Sequence, residues 1–336
     1  MKTVPQITSY CLDWHTTNSD AFKDMLVEPL KPFADIKLTA WDGEHITAKT
    51  DPKSPLIFSM LPPPSALLKE KGRRLVWLPM WDQAQGYDQD WWNKLPKSLR
   101  IVAFSDVVYK KAVAAGLPVL RITYYKDPSK FEPVSWKNGR IVFYWNRVGM
   151  IGPEFLENLC KTIRPKELLF LGKNDPRIEE NKFYNLPKQI GSTKVKMIEA
   201  ADRETFLSKT SSANILIAPR LTEGVGMTFL ESMARGGVVF ANNAPTMNEY
   251  IQHGKNGILL DNTYHSTSDK IKARLHKTSL DNNNDAPYLL SAKQPWSKMK
   301  HLDFKKIGDR ALADHIAGYK VWQNDIKGYA DFVLNW

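Results

Sequence analysis

The chain of 336 residues lacks several features that mark whole classes of protein. It holds only two cysteines, Cys11 and Cys160, far apart in sequence, so we expect a reducing, cytoplasmic compartment and no disulfide framework. No apolar run approaches the roughly 20 residues that a membrane-spanning helix needs. The N-terminal stretch MKTVPQITSYCLDWHTTNSD has no long apolar core of a secretory signal. These absences favour a globular protein without a membrane span.

Motifs for metal ions and nucleic acids are also missing. The seven histidines show no zinc-ligand spacing. Residues 281–285 begin like a calcium loop but lack its glycine and closing glutamate. Asp88 and Asp90 form a D-x-D pair, but no apolar strand lies directly before them. The chain has no arginine-rich arm and no RNA-binding aromatic signature. We therefore expect no metal, no other cofactor and no nucleic-acid partner.

The charge is strongly positive, with a formal net charge of +11. Such a charge favours anionic partners, for example nucleotide phosphates or an anionic lipid surface. Because the lysines are scattered, we expect most of them to be solvated. Basic residues near an anionic leaflet contribute about 1 kcal/mol each, so a modest cluster suffices for peripheral contact with the inner face of a membrane.

Short apolar runs alternate with amphipathic segments, which predicts a doubly wound α/β protein. Residues 1–130 contain six strand-like runs and form a first domain, with helices expected near 19–30 and 106–115. A proline- and charge-bearing stretch at 131–139 is the predicted linker. Residues 140–310 form the second domain, and 311–336 a final helix. No internal repeat is visible.

The most informative feature is a pair of glutamates, Glu223 and Glu231, in the run RLTEGVGMTFLESMARGG between the apolar runs NILIAPR and VVFANN. A glycine-rich turn that opens a helix between two buried strands can hold a phosphorylated ligand on backbone N–H groups. The eight-residue offset is about 2.2 helical turns, so both carboxylates point towards one cleft. There they can accept hydrogen bonds from the hydroxyls of a ribose or a hexose. A capping residue and a solvated helix residue would give the same pattern.

The order E-G-x-G-x-x-x-x-E-S-M-A-R-G-G-V-V resembles the C-terminal donor-binding signature of retaining glycosyltransferases of the GT-B fold, family 4. The run FANNAPTMNEYIQHGKNGILLD is similar to the segment that follows in that family. Upstream, GRIVFYWNRVG and ELLFLGKND are similar to its first two donor-domain strands. The resemblance covers residues 138–262, whereas the first 130 residues match only in pattern. It implies two Rossmann-like domains facing across a cleft and a C-terminal helix that crosses back to the N-terminal domain.

The resemblance also implies the residues that hold the charged part of the donor. Arg147 is expected to pair with the diphosphate, because a guanidinium offers a planar fork of donors to phosphate oxygens. Gly152 stands where the family has a lysine, so we expect Lys173, in the turn after the next strand, to replace it. Glu223 and Arg147 are the predicted catalytic residues.

Other contacts with the donor follow from the same resemblance. Glu223 is expected to contact hydroxyls of the transferred sugar, and Glu231 the ribose. The turn Gly224, Val225, Gly226 and Met227 lets the backbone approach the phosphate and the sugar. The edge that contacts the base is expected at Ile198 and Glu199, although the family has glycine where Glu199 stands.

The acceptor is expected on the first domain. Asp13, His15 and Asp82 each follow a predicted strand there, and they are candidates for a general base if the enzyme inverts. A retaining enzyme needs no dedicated base, because the leaving phosphate takes the acceptor proton. Trp81 opens the aromatic loop WDQAQGYDQDWWNK, which suits carbohydrate stacking, a membrane interface or plain packing. The stretch LDWHTTNSD replaces the glycine pair that the family has after its first strand.

The sequence leaves three functions open. The leading one is a metal-independent hexosyltransferase that moves a sugar from a nucleotide-diphosphate donor to a glycan or lipid-linked acceptor in polysaccharide or glycoconjugate biosynthesis. The second is a nucleotide-sugar epimerase on the same double-Rossmann frame, which would need no acceptor. The third is a nucleotide-sugar binding protein without activity.

Overall fold

The computed structural model describes residues 5–17, 19–43, 46, 54–146, 150–171, 186–198, 203–261 and 292–335. The chain divides into two compact units. Unit 1 consists of Met1–Lys126, Glu223–Met227 and Ala317–Trp336, and unit 2 of Asp127–Thr222 and Thr228–Ile316. The first boundary, between Lys126 and Asp127, lies four residues before the boundary predicted between residues 130 and 131.

Unit 1 is built on a six-stranded parallel sheet with the order β2-β1-β3-β4-β5-β6. Its strands are β1 (Gln6–Cys11), β2 (Asp35–Ala40), β3 (Leu56–Ser59), β4 (Leu75–Leu78), β5 (Arg100–Ala103) and β6 (Val119–Arg121). Its helices are α1 (Trp14–Thr17), α2 (Glu28–Leu30), α3 (Ser65–Leu68), α4 (Trp81–Ala84), α5 (Gln89–Asn93) and α6 (Asp106–Ala114). Strands β3 and β4 are buried at every position, which is typical of a parallel sheet covered on both faces.

The core of unit 1 is rich in aromatic side chains. Trp77 and Trp92 are fully buried and stack with ring centroids 5.1 Å apart. The Trp77 indole N–H donates to Met60 O at 3.1 Å, so this large ring is fixed in place. Cys11 is a buried free thiol in the same unit, and burial raises its pKa to about 11. Cys160 of unit 2 is also free and buried, which confirms the prediction of no disulfide.

The segment predicted as one helix from Ser19 to Leu30 is helical but irregular. Ser19 Oγ accepts from Ala21 N at 3.2 Å at its start. Its middle, Lys23–Val27, is a π-helical turn that leads into α2. Pro29 has no N–H to continue the regular ladder, and the wider turn lies directly before it.

Unit 2 contains a seven-stranded sheet with the order β13-β12-β11-β7-β8-β10-β9. Its strands are β7 (Ile141–Trp145), β8 (Glu167–Leu171), β9 (Gln189–Ile190), β10 (Thr193–Ile198), β11 (Ile215–Ala218), β12 (Val238–Asn242) and β13 (Ile258–Leu260). Its helices are α7 (Pro153–Ile163), α8 (Arg203–Ser211), α9 (Met227–Ala234), α10 (Met247–Tyr250) and α11 (Trp296–Met299). Only the short edge strand β9 pairs antiparallel among the described strands of this sheet. The sequence did not predict it.

Each sheet has a point where its strand order reverses. In unit 1, β1 lies between β2 and β3, so the chain leaves it first to one side and then to the other. In unit 2 the reversal lies between β7 and β11. Open parallel sheets bind ligands at the carboxyl ends of the strands at such a point, because the two loops diverge there. The loops after β1 and β3, and those after β7 and β11, are therefore the places to look for a site.

The last helix, α12 (Phe304–Leu334), contributes to both units, and its part from Ala317 onward belongs to unit 1. Trp322 is buried there and packs edge-on against Tyr124 at 5.2 Å. At the helix end, Arg100 Nη1 donates to Phe332 O at 2.6 Å. A cation on the last carbonyls of a helix also interacts favourably with the helix dipole. The sequence predicted this helix to pack on the first domain.

The predicted linker, residues 131–139, lies within unit 2 and is anchored there. Asn214 Nδ2 donates to Ser135 O at 2.9 Å and to Gly139 O at 2.8 Å, while its Oδ1 accepts from Ile141 N at 2.9 Å. One buried side chain thus anchors the end of the stretch to the start of β7. Residues 281–285, which begin like a calcium loop in the sequence, lie outside the described residues.

Candidate donor site

The loop that follows β11 carries the first glutamate and lies at the reversal point of the unit 2 sheet. The chain leaves Ala218 as Pro219, Arg220, Leu221 and Thr222, reaches Glu223, and enters α9 at Met227. The other loop at this point follows β7 and begins with Asn146. In chain order, the glutamate-bearing turn thus follows a strand at the reversal point, and loops after such strands commonly bind ligands.

The two glycines of this turn are needed for different reasons. Gly226 has a φ of 79°, in the left-handed region that side chains with a Cβ avoid. Gly224 is short of space: within unit 1, a Cβ there would lie 2.8 Å from Met80 Cβ and 3.1 Å from Asp82 Oδ1. Gly226 makes the turn into the helix, and Gly224 allows a close approach of the backbone to Met80 and Asp82.

Glu231 lies on the buried side of α9. It is 8% exposed, and its neighbours Phe229, Leu230 and Met233 belong to the core. Burial lowers the pKa of Arg235, one turn further on, while the charge of Glu231 raises it. A carboxylate with so little exposure requires polar partners, and Arg235 is one nearby charge. The helix that the sequence predicts here is confirmed, and Glu231 is a buried rather than a solvated residue.

The end of α9 is formed by the two glycines of ARGG. Gly236 has a φ of 74°, and its N–H donates to Met233 O at 3.0 Å. Gly237 N donates to Ser232 O at 2.8 Å. This is the left-handed C-terminal cap that stops a helix before a strand. Glu223 belongs to unit 1 and Glu231 to unit 2, so each carboxylate is described within its own unit.

Two asparagines at the carboxyl ends of strands were missed by the sequence reasoning. Asn242 closes β12, is fully buried, and donates from Nδ2 to Leu221 O at 2.8 Å, which anchors the start of the loop. Asn146 follows β7, is 3% exposed, and accepts from the Tyr144 hydroxyl at 3.2 Å. The available signal was a polar residue ending an otherwise apolar strand, as in VVFAN and IVFYWN.

Several predicted donor residues cannot be placed. Arg147, Lys173 and Glu199 lie outside the described residues. Ile198 is the last residue of β10 and is 9% exposed. It therefore lies at the carboxyl edge of the sheet, two strands away from the reversal point.

Unit 1 brings two of the predicted acceptor-side residues together. Burial lowers the pKa of His15, and the nearby charge of Asp82 opposes this effect. The His15 ring also packs edge-on against Phe22 at 4.9 Å. Asp82 lies in the first turn of α4, beside Gly224. Asp13 is exposed, and the structure gives it no contact with this pair.

A strained backbone at the same end of the sheet was not foreseen. Met60 follows β3 and has a φ of 72°, which is rare for a residue with a side chain. Its carbonyl oxygen accepts the hydrogen bond from the Trp77 indole N–H, and its own N–H donates to Leu78 O at 2.9 Å. The neighbouring strand β4 therefore holds this conformation. Strained residues of this kind cluster at functional sites.

The aromatic loop after β4 packs into the protein. Tyr87 and Trp91 stack with centroids 3.9 Å apart, and Trp92 is fully buried. Trp81 is half-buried against the same core. Asp88 Oδ1 accepts from Trp91 N at 2.8 Å as the N-cap of α5, which gives the D-x-D pair a structural role. The packing interpretation therefore accounts for most of this loop.

Two features are absent from the described part of the chain. No group of three or more His, Cys, Asp or Glu side chains there is arranged to hold a metal ion. No helix there combines the length and the apolarity needed to cross a bilayer.

Comparison with known proteins agrees with the geometry. The family described as glycosyl transferases group 1 matches residues 154–286, which include α9 and both glutamates. Among curated proteins, no sequence matches significantly.

Solved structures resemble the chain over nearly its full length. Sucrose-phosphate synthase from Thermosynechococcus elongatus is 12% identical, with a TM-score of 0.63 over 97% of this chain and 98% of that one. A glycosyltransferase from Rickettsia africae is 13% identical, with a TM-score of 0.59 over 99% of both chains. Anabaena HepE in complex with UDP-glucose is 13% identical, with a TM-score of 0.56 over 96% of this chain and 98% of that one. The chain has the GT-B fold of these glycosyltransferases, and its residues 154–286 match the family described as glycosyl transferases group 1.

Proposed function

We propose that the protein is a retaining, metal-independent glycosyltransferase that moves a sugar from a UDP- or GDP-sugar to a glycan or lipid-linked acceptor. The observation that carries the proposal is the turn Glu223–Gly226, which leaves β11 at the reversal point of the sheet and opens α9. This turn lies within the matched segment. A glycine turn at a helix start presents N–H groups to an anion, and Gly226 needs its positive φ to make the turn.

The donor is held by two carboxylates and a short stretch of backbone. Glu223 accepts hydrogen bonds from the transferred sugar, and Glu231 accepts them from the ribose. The backbone from Gly224 to Met227 contacts the diphosphate. The burial of Glu231 on α9 supports this role, because a buried carboxylate holds its acceptor atoms in fixed positions. A ligand without the matching hydroxyl would leave such an acceptor without that hydrogen bond and would bind more weakly.

The diphosphate also requires cations. Arg147 and Lys173 are the proposed cations, and in the sequence they come shortly after β7 (Ile141–Trp145) and β8 (Glu167–Leu171). Gly152 stands where the family has a lysine, and Lys173 supplies the missing positive charge. Ile198, with Glu199 after it, forms the edge against the base at the end of β10.

The chemistry is positioning and electrostatics. The bond between the anomeric carbon and the donor phosphate oxygen breaks, and the acceptor oxygen bonds to the anomeric carbon on the same face. The leaving phosphate takes the acceptor proton, so the nucleoside diphosphate is the second product and no metal is required. Cations and backbone N–H groups stabilise the charge that develops on the phosphate.

We assign the acceptor to unit 1, with His15 and Asp82 as the candidate contacts. Burial keeps His15 neutral near pH 7 because its pKa is lowered from 6.5. A neutral imidazole can accept a hydrogen bond from a second hydroxyl of the acceptor, which leaves the proton of the attacking hydroxyl for the departing phosphate. In the inverting alternative the same histidine would be the base.

Calorimetry with UDP- and GDP-sugars is the first test, and one donor should bind in the micromolar to millimolar range. Absence of binding by every nucleotide sugar would sink the proposal. Incubation of the bound donor with candidate glycan acceptors, with and without EDTA, then tests transfer and metal independence. The anomeric proton coupling of the product, measured by NMR, distinguishes retention from inversion. An epimerase would release free sugar or nucleotide without any acceptor, and a binding protein would convert nothing.

Peripheral membrane contact on the cytoplasmic side remains part of the proposal because of the net charge of +11. Flotation with anionic vesicles tests it.

A further inference from the structure

Unit 2 has an open cavity that the donor site does not use. Its volume is about 500 Å³, and it lies entirely within this unit. One side is formed by Trp136, Gly139 and Arg140, which precede β7, and the other by Lys300–Lys305, where the chain turns into α12. Because Arg140 comes directly before Ile141, this cavity lies at the amino ends of the strands. The donor site lies at their carboxyl ends, a five-residue strand away, which is about 16 Å.

The central cation of this cavity is held firmly. Arg140 Nη1 donates to Ile163 O at the end of α7, and its guanidinium lies 4.9 Å from the centroid of the Phe304 ring. Burial lowers the pKa of Arg140, and the nearby charge of Asp303 raises it. Among the described residues the guanidinium donates this single hydrogen bond, although it has five N–H groups. A guanidinium group that is held in place, partly removed from water and has N–H groups left to donate is suited to binding an oxyanion.

The rest of the wall adds positive charge. Lys300 and Lys305 are exposed at the rim, and Asp303 is the only carboxylate among the lining residues. Asp303 is already engaged, since its Oδ1 accepts from Lys306 N at 3.1 Å. Lys305 pairs with Asp309 at 2.6 Å, but an exposed pair of this kind is weak and can exchange for a ligand. Three permanent cations therefore face one carboxylate.

The remaining wall is aromatic. Trp136 is half-buried and packs against the core of unit 2. A tryptophan face beside a set of cations can cover the polyol or sugar part of a ligand while the cations hold its phosphate. The volume is within the range of small-molecule sites.

We infer that this cavity binds a phosphate monoester carried on a small polyol or sugar, as a second ligand site separate from the donor site. The ligand's phosphate lies against Arg140, Lys300 and Lys305, and its carbon skeleton lies against Trp136. Either a soluble metabolite or a lipid headgroup could supply this group. The inference does not depend on the glycosyltransferase activity, because it concerns a different edge of the sheet.

Calorimetry with glycerol 3-phosphate, and with glycerol as the uncharged reference, tests the soluble source. Flotation with phosphatidylcholine vesicles that contain phosphatidate, against phosphatidylcholine alone, tests the lipid source. Both assays compare the wild type with Lys300→Ala/Lys305→Ala and with the control Lys23→Ala/Lys110→Ala. The control removes the same charge from exposed positions of unit 1.

The expected result is binding to one of the two probes that weakens about tenfold or more in Lys300→Ala/Lys305→Ala, since two charge-assisted contacts are lost. The control pair should bind like the wild type. Binding of glycerol 3-phosphate identifies a soluble ligand, and binding only to phosphatidate vesicles identifies a lipid headgroup. Absence of binding to both probes, or equal binding by the two double variants, would overturn the inference. All four lysines are exposed, so the variants should fold, and circular dichroism checks this.

Discussion

Replacing glycines of α12 by alanine should raise the stability of the protein at one position and lower it at another. Gly328 is exposed, and a Cβ there would meet nothing within 4 Å. A Cβ on Gly308 would overlap Gly236 O, at the cap of α9, and would lie 3.1 Å from Trp136 Cζ2. A Cβ on Gly318 would overlap the Tyr125 ring.

The magnitudes follow from two effects. Replacing glycine by alanine in an exposed helix interior stabilises by about 1 kcal/mol, which is the expected gain for Gly328→Ala. At Gly308 the same gain is opposed by overpacking, which costs about 1–3 kcal/mol and belongs at the upper end because a backbone carbonyl cannot rotate away. We expect a net loss of about 2 kcal/mol. Gly318→Ala should lie between the two, since a tyrosine ring can shift.

Urea unfolding followed by circular dichroism measures these differences. A separation of about 3 kcal/mol between Gly308→Ala and Gly328→Ala corresponds to roughly 1 M or more between their midpoints, for urea slopes of about 1–3 kcal/mol/M. Gly328→Ala is the matched control, because it makes the same change in the same helix. Equal stability of the two variants would refute the close approach of α12 to the cap of α9.

Three further outcomes are expected. Gly226→Ala should lower the free energy of unfolding by about 1–2 kcal/mol, because Gly226 has a left-handed φ of 79°. The variant should still fold, and calorimetry should show weaker donor binding than in the wild type. Arg100→Ala should lose about 1–2 kcal/mol, and hydrogen exchange should accelerate at the end of α12, since the bonds to Phe332 O and Asn335 O are removed. Below pH 6.5 the wild type should lose stability relative to His15→Gln. Because the pKa of His15 is lowered in the folded protein, the unfolded chain binds the proton first as the pH falls. In thermal melts across pH 5–7, the melting temperatures of the wild type and His15→Gln should therefore differ most at the acidic end and become constant in their difference near pH 7.

Much of the fold could be predicted from the sequence. The central strands, such as β3, β4 and β12, are short apolar runs that are buried on both sides, and such runs stand out from amphipathic segments. For example, IVFYWN and NILIAPR contain β7 and β11. Helix α9 was equally visible, because Gly226 and Gly236 bound a segment of good helix formers. The GT-B arrangement came from the resemblance in residues 138–262, since no local pattern specifies how two sheets are ordered.

Other features depend on contacts between residues distant in sequence. Asn242 anchors the loop 21 residues earlier through Leu221 O, and nothing around it in sequence marks that partner. Met60 takes a strained conformation because β4 supplies its partners. The aromatic loop at Trp81 could be read as a ligand surface until the stacking of Tyr87 on Trp91 showed packing. Gly224 was predicted for ligand access, whereas in the structure its missing Cβ also admits Met80 and Asp82.

The two paired carboxylates differ in burial, and this decides which of them is the better target for mutation. Glu231 is buried on α9 near Arg235, and its negative charge favours the charged form of that arginine, so its replacement would also affect the fold. Glu223 is half-exposed in the turn, and its proposed role is contact with the transferred sugar. It is therefore the better residue for a test of function.

The most direct test is the rate of sugar transfer by Glu223→Gln, compared with Glu157→Gln under saturating donor. Glu157 is a half-exposed glutamate of α7 in a surface pair with Lys161, so its change should leave the rate as in the wild type. The account predicts that Glu223→Gln keeps the wild-type melting temperature and loses about 100-fold or more in rate, because the sugar is no longer held in the reactive position. A rate within a few-fold of the control would contradict the claim that this turn is the donor site.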